Sequence, residues 1–303
     1  MKETVKNKLK ILKRFAEEIA TFVQKYCNTT PLYNFDAFPQ SPFTYIYLPD
    51  KQVVIHCVSL EPQFQDGAFF QQLSQSFAQQ GLRLIHLWED VWYTQQVIVQ
   101  SRLLSLFGQS ATIPARLTQS RRIDKPTLDT FLLENHLQIP AGAKFKYGLF
   151  LPKRYFRVIE LDKNIFTQKI SGLLPISDEM LMAVASFSTA RKFVREGLTY
   201  RSFELIRFAN LKGFTVVGGF DKLLKTFIRE QNPDDIMTYA DADWSDGASY
   251  EKLGFERMEL TPPQSFGLDE NLQRVWSRNE PETTEKKVWN TGSWKYLLKL
   301  KQA

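Results

Sequence analysis

Cysteine is nearly absent: Cys27 and Cys57 are the two thiols in 303 residues. Without metal-ligand spacing they exclude a zinc module, and two thiols make no disulfide scaffold; a reducing, intracellular home fits best. No apolar run approaches the ~18 residues that cross a bilayer, and the opening MKETVKNKLK is charged where a secretory signal would be apolar. The expectation is a cytoplasmic protein with no membrane partner. There is no internal repeat and no low-complexity tract, so no repeat array organises the chain.

Aromatic residues are abundant, with 24 Phe, 11 Tyr and 6 Trp. Hydrophobic content of 43% and charged content of 24% are ordinary for a globular protein. The length suits about two domains. The formal net charge of +6 leans toward an anionic partner. Oligomeric state is not readable from any of this.

Residues 1–26 carry Val5, Leu9, Leu12, Ala16, Ile19 and Val23 on one helical stripe, with Lys6, Lys10, Lys13 and Arg14 off it. Strands are expected at Thr44–Pro49, Gln52–Leu60 and Leu82–Trp88, with helices at Gly67–Gln80 and Val97–Phe107. That order predicts a small α/β domain over residues 1–112. Residues 113–126 hold Pro114, Arg116, Arg121, Arg122, Lys125 and Pro126 without hydrophobic period, and read as a basic connection with a short strand at its end. A second domain, 127–303, is expected to begin with a helix capped by Thr127. Strands follow at Tyr147–Leu151, Phe156–Leu161 and Glu179–Ser188, with a connection over 162–178. A loop over 279–287 precedes a terminal hairpin in VWNTGSWKYLLKL.

The most informative stretch runs from Phe203 to Phe255. Glu204–Ala209 reads as a strand; Gly218-Gly219 opens a helix with Leu223, Leu224, Phe227 and Ile228 at helical spacing; Asn232-Pro233 stops it; Ile236–Ala240 resumes as a strand. Glycines leading into a helix present free N–H groups at its positive end, which suits a phosphate. The plain alternative is a tight turn. With Tyr250-Glu251-Lys252-Leu253-Gly254-Phe255, the stretch resembles motifs A and B of the GNAT family, the acyl-CoA-dependent N-acyltransferase fold. The family pattern asks for Arg or Gln where Thr215 stands, and for Gly or Ala where Phe220 stands. The resemblance implies a mixed sheet splayed at its centre, with Val217, Gly218 and Gly219 offering backbone N–H groups to the pyrophosphate of acetyl-CoA. It also implies Tyr250 as the acid that protonates the departing thiolate, and Glu204 as a base.

The front half, through LIHLWEDVW and IVQSRLLSLFG, resembles the nuclease part of phage and mobile-element endonucleases related to the very short patch repair enzyme (Vsr). In that lineage a Vsr-like nuclease domain precedes a GNAT-like domain. The resemblance places the metal-binding carboxylates at positions held here by Tyr45 and His56, neither of which replaces a carboxylate toward a hard cation. Glu89 and Asp90 survive, so the expectation is a degenerate nuclease site holding no metal. His56 and His86 then read as structural residues.

The whole describes an α/β protein of two domains, Vsr-like and GNAT-like. The leading expectation is a nuclease-inactive, nucleic-acid-associated protein of mobile-element and homing-endonuclease descent, touching DNA through Arg116, Arg121, Arg122 and Lys125. The alternative is an active acyl-CoA N-acyltransferase with an unknown amine acceptor.

Overall fold

The computed structural model describes residues 2–27, 30–33, 38–60, 65–160, 178–195, 197–276 and 287–301. Most of the expected connection 162–178, and all but the last residue of the expected loop 279–287, lie outside the described residues. The chain forms two compact units that interleave in sequence. Unit 1 gathers residues 1–99, 240–248 and 259–294; unit 2 gathers 100–239, 249–258 and 295–303. This division differs from a cut at residues 113–126.

Unit 1 is built on a four-stranded sheet in the order β1 (Leu32–Tyr33), β2 (Thr44–Leu48), β3 (Val53–Val58), β4 (Arg83–Trp88). β2 and β3 are antiparallel, and β3 and β4 are parallel, joined through helix α2 (Gly67–Gln79). All six positions of β3 are buried, which is why VVIHCV reads as a continuous run and not as an alternation. Asp66 caps α2 by accepting the Phe69 N–H at 3.1 Å. Helix α1 (Lys2–Tyr26) buries Ala16, Ile19 and Val23, the second half of its predicted stripe, and with them Phe15 and Phe22, which the stripe did not include. Its Glu18 accepts the Trp92 indole N–H at 3.0 Å. Trp92 stands on α3 (Glu89–Leu106), a helix kinked at Gln95 whose residues from Gln100 onward belong to unit 2.

A three-stranded sheet also belongs to unit 1, in the order β15 (Arg274–Trp276), β14 (Ser265–Leu268), β16 (Lys287–Trp289). Phe266 and Val288 from it pack with Val58, Phe70 and Trp88.

Unit 2 carries the larger sheet. Its strands are β6 (Gln119–Arg122), β7 (Phe145–Pro152), β8 (Glu179–Phe187), β9 (Arg191–Arg195), β10 (Leu198–Asn210), β12 (Asp235–Asp241), β13 (Glu256–Leu260) and β17 (Ser293–Lys299). The order is β13-β17-β12-β10-β8-β7-β6, with β9 added on β10. Only β10 and β12 run parallel among the pairs whose register is resolved in this sheet. The short strands β5 (Ala111–Pro114) and β11 (Phe214–Val217) pair with each other in parallel. Helix α4 (Lys125–Asn135) packs Leu128, Phe131 and Leu132 against Val184 and Ala209. Helix α5 (Gly219–Gln231) covers the other face, where its Phe227 meets Phe145, Tyr147, Phe187 and Phe203. The Phe187 and Phe227 rings stack with centroids 3.8 Å apart.

Several expectations are corrected. Residues 113–126 hold the short strand expected near their end, β6, which pairs with β7, and more besides: β5 ends within them and a 3-10 turn covers Ala115–Leu117. Asp124, not Thr127, caps α4, accepting the Thr127 N–H at 2.9 Å. Phe156 begins no strand. Pro152 ends β7, and Phe156 and Ile159 close helical turns onto Lys153 and Phe156. The C-terminal segment is not a hairpin, since β16 and β17 join different sheets.

Because Phe227 is fully buried among four rings, its truncation removes both area and ring contacts. Phe227→Ala is expected to lower stability by about 3–5 kcal/mol, read as a shift in the urea midpoint with unchanged slope.

Candidate functional site

Of the site residues expected in unit 2, Tyr250 and the helix that follows the glycine turn meet through the Phe220 ring near the end of the β10–β12 ladder, while Glu204 and the basic residues Arg121, Arg122 and Lys125 lie elsewhere. The β10–β12 ladder runs from Ser202↔Asp235 to Leu205↔Thr238. There β10 bulges against β8: Leu205 opposes Phe187 and Arg207 opposes Ser186, leaving Ile206 as the extra residue. A bulge reverses which residues face which side. Phe203 and Leu205 are buried on the α5 side ahead of it, and beyond it Phe208 meets Phe220 of α5 while Ala209 joins the α4 side. Thr238 donates its hydroxyl to the Leu205 carbonyl at 2.9 Å, on the last rung before the strands separate.

Tyr250 lies on the short helix α6 (Ala248–Glu251) and hydrogen-bonds to Thr238. Its ring packs edge-on against Phe220 at 5.5 Å, and beside Phe255 and Tyr296 at 5.7 and 5.3 Å. Burial pushes the phenol above its usual range, so it stays protonated at neutral pH. Glu204 is half-buried, and strand alternation sets it on the face opposite Phe203 and Leu205. Its backbone exchanges hydrogen bonds with Ser188. It is therefore across the sheet from the Phe220 and Tyr250 rings, not beside them.

The glycine turn precedes α5. Gly218 has φ of 77°, a left-handed conformation that disfavours side chains, and it starts the helix with no side-chain cap. A Cβ at Gly219 would stand 2.8 Å from Val216 Cβ. Both glycines thus have a structural cause. Val217 is 57% exposed and Gly218 is also exposed, while Gly219 and Phe220 are buried. The Phe220 ring is directed inward to Phe208, Tyr250 and Phe255, leaving the turn itself uncovered by that ring.

Charge near the turn is mixed. Asp221 in the first helical turn pairs with Lys225 at 2.8 Å, and its carboxylate offsets part of the positive helix end. Lys222 bends back to the carbonyls of Ala115 and Thr118, and burial lowers its pKa. Thr215 meets Ser105 at 3.2 Å and offers no cation. A Cβ on Gly218 would lie 3.7 Å from Ala115 Cβ, which brings the Ala115–Leu117 turn, with exposed Arg116, against the glycines. Sequence reading grouped Arg116 with the basic stretch and missed this placement. No local signal could reveal it, because it arises from the β5–β11 pairing across about a hundred residues.

The other basic residues of that stretch are compensated. Arg121 forms a two-pronged pair with Glu179, one contact being 2.8 Å, and lies 3.6 Å above the Phe150 ring. Arg122 pairs with Glu230, which also accepts from Tyr147. Lys125 pairs with Asp129. Three of the four expected DNA-contacting cations therefore face carboxylates of the same unit.

In unit 1, Tyr45 and His56 are cross-strand partners, and the Tyr45 hydroxyl donates to the Pro39 carbonyl at 3.0 Å. Glu89 accepts the Leu60 N–H at 2.8 Å. Asp90 is buried and accepts from Arg274 at 2.6 and 3.2 Å. These four residues are thus committed to separate structural bonds. Among the described residues no group of three or more His, Cys, Asp or Glu could hold a metal ion.

His56 and His86 form a fully buried chain instead. Ser41 Oγ meets His56 Nε2 at 2.7 Å, the two Nδ1 atoms meet at 3.0 Å, and His86 Nε2 meets Ser74 Oγ at 2.8 Å. His86 also bonds to the Phe70 carbonyl, which can only accept. In the Nδ1–Nδ1 contact one ring donates and the other accepts. The chain is satisfied with both rings neutral. Burial lowers both pKa values, His86 to about 3. Asp243 nearby moves the other way, up to about 8, through burial and the neighbouring Asp241, while Thr291 donates to it at 2.7 and 3.0 Å.

No family model matches the chain, and no curated protein matches it. Among solved structures, likenesses covering 61% of this chain include NAA60 of Arabidopsis thaliana with a bisubstrate analogue (9% identity, 99% of that chain, TM-score 0.36). A subunit of the NatC complex bound to Gag peptide and CoA is another (10% identity, 99%, 0.34). The ribosomal-protein-S18-alanine N-acetyltransferase of Escherichia coli is a third (12% identity, 96%, 0.32). A TM-score below 0.5 does not establish a shared fold, so these likenesses set no limit on function.

The histidine pair makes a pH prediction with a definite sign. Both rings are neutral in the folded unit and titrate near 6.5 when unfolded. Their contribution is complete above pH 6.5 and is lost as pH falls below it, for His86 down to about 3. The expected slope is about 1.4 kcal/mol per pH unit for each ring charged only in the unfolded chain. Urea melts from pH 7.5 to 4.5 read it, and His56→Gln, which cannot titrate, should give a shallower loss.

Proposed function

We propose that unit 2 binds acyl-coenzyme A and transfers its acyl group to an amine. The observation that carries this reading is the uncapped, exposed Val217-Gly218 turn at the start of α5, with Ala115 against Gly218 and the exposed Arg116 next to it in sequence. The unpaired N–H groups of a helix start favour a diphosphate, and Arg116 supplies the cation that Thr215 does not. The parted strands β10 and β12 support the same reading, since they open the sheet next to Tyr250. In the reaction the amine attacks the thioester carbonyl, the C–S bond breaks, and the thiolate takes the phenolic proton of Tyr250. A phenol held protonated by burial is a suitable donor. Glu204 lies across the sheet from the phenol and is not placed to take the amine proton, which passes to solvent water. The nucleic-acid reading draws less support, because the cations that motivated it are mostly paired within the unit.

Calorimetric titration with acetyl-CoA tests the reading. Heat and a raised Tm are expected, and Arg116→Ala should weaken binding about tenfold, near 1.4 kcal/mol. Silence in both measurements at millimolar acetyl-CoA rejects it.

A further inference from the structure

The arm formed by β9 and the start of β10 is unlike the rest of the sheet. β9 pairs with β10 from Arg195↔Leu198 to Arg191↔Ser202, and among the described residues it pairs with β10 alone. β7, which flanks β8, begins at Phe145 opposite Phe187, so it stops short of β9. Among the described residues, one long edge of β9 is therefore open. Only two residues separate Arg195 from Leu198, and Gly197 among them has φ of 78°. In such a hairpin the closing pair is hydrogen-bonded and the pairs then alternate. Arg195, Phe193 and Arg191 thus spend their backbone groups on β10, while Lys192 and Val194 direct theirs to the open edge.

Among the described side chains of β9, the charged ones, Arg191 and Lys192, are exposed and positive. Val194 is 72% exposed, Leu198 52% and Phe193 37%, and Arg191 and Lys192 are exposed beside them. An edge bearing lysine is commonly a device against self-pairing, and the positive charge does disfavour a second copy of this chain. It does not account for Val194 and Leu198, two large apolar residues left mostly exposed on the same arm. Open backbone groups, positive charge and exposed apolar side chains together suit a partner that is extended, acidic and partly apolar.

We propose that β9 docks an extended acidic polypeptide segment by adding it to the sheet as a strand. Backbone bonds at Lys192 and Val194 set the register, Arg191 and Lys192 meet the partner's carboxylates, and Phe193 and Val194 take its apolar residues. This goes beyond the acyl-transfer reading and does not depend on it.

The test is fluorescence anisotropy with the whole chain and a labelled peptide of alternating Glu and Val. Binding is expected to weaken with salt and to fall at least tenfold when alternate amides of the peptide are N-methylated. Val194→Pro removes the outward N–H at an edge position where proline is tolerated, and should cause a loss of the same order. Lys192→Glu, which leaves the backbone intact, covers the case in which the proline variant fails to fold; it should also weaken binding at least tenfold. Equal binding of the methylated peptide, binding unchanged by the substitutions, or binding of a single-stranded oligonucleotide in place of the peptide would each overturn the proposal. Acetyl-CoA titration of the same variants should be unaffected, so a failure here is separable from a failure of the acyl-transfer reading.

Discussion

One extra residue in β10 governs unit 2. With Ile206 unopposed between Leu205 and Arg207, the strand keeps its ladder to β8 but leaves β12 after four rungs. Separation of two parallel strands normally strands backbone groups, at about 1–3 kcal/mol for each one buried without a partner. The Thr238 hydroxyl offsets part of that cost by taking the Leu205 carbonyl. The same shift turns Phe208 toward α5, where it finds Phe220, and so assembles the rings of Phe208, Phe220, Tyr250 and Phe255. The gap and what fills it follow from a single register change.

Unit 1 solves a different problem, that of polar groups inside a core. Its buried strands β3 and β4 each place a histidine opposite the other. Two imidazoles in an apolar setting remain neutral and need both nitrogens satisfied. Ser41, Ser74 and the Phe70 carbonyl satisfy them. Arg274 is the opposite case, a retained charge. Asp90 takes it by two bonds, and it lies over Trp88 and Phe266 at 5.7 Å from each ring. Asp90 stands at a position where the nuclease resemblance expected a metal ligand, and here its charge is spent on Arg274.

The elements that were legible in the sequence are those held by local pattern. The amphipathic stripe of α5, the buried run of β3 and the glycine before α5 all report on near neighbours and on backbone conformation. The proline- and arginine-rich stretch 113–126 was read as a connection because its structure is nonlocal. β5 joins β11 and Arg121 joins Glu179, across separations that no window of sequence spans. The assignment of residues 240–248 and 259–294 to unit 1 is equally nonlocal. Phe156 misled for a subtler reason: an apolar run after a proline reads as a strand, yet the 3-10 turn over Lys153–Tyr155 carries the chain into a helical turn. Of the candidate site, Gly218 and Tyr250 were visible as motif residues, whereas the place of Arg116 beside the turn was not.

Phe220 divides the proposed site into two parts with different physical demands. The turn at Val217-Gly218 is exposed, and the Phe220 ring points away from it, so a diphosphate can reach the helix start without displacing that side chain. The space between Phe208 and Tyr250, by contrast, is filled by the Phe220 ring. A small residue there would leave room for an acyl thioester beside the phenol. Moving a buried phenylalanine forfeits contacts of the kind whose removal costs about 3–5 kcal/mol. Coenzyme affinity should therefore depend on the turn and Arg116, and turnover on how far that ring can withdraw. On that proposal the phosphate end of the coenzyme would be held more readily than its reactive end is admitted. Under the acyl-transfer proposal, the retention of Tyr250 behind the ring makes Phe220 the residue on which turnover, as distinct from binding, would depend.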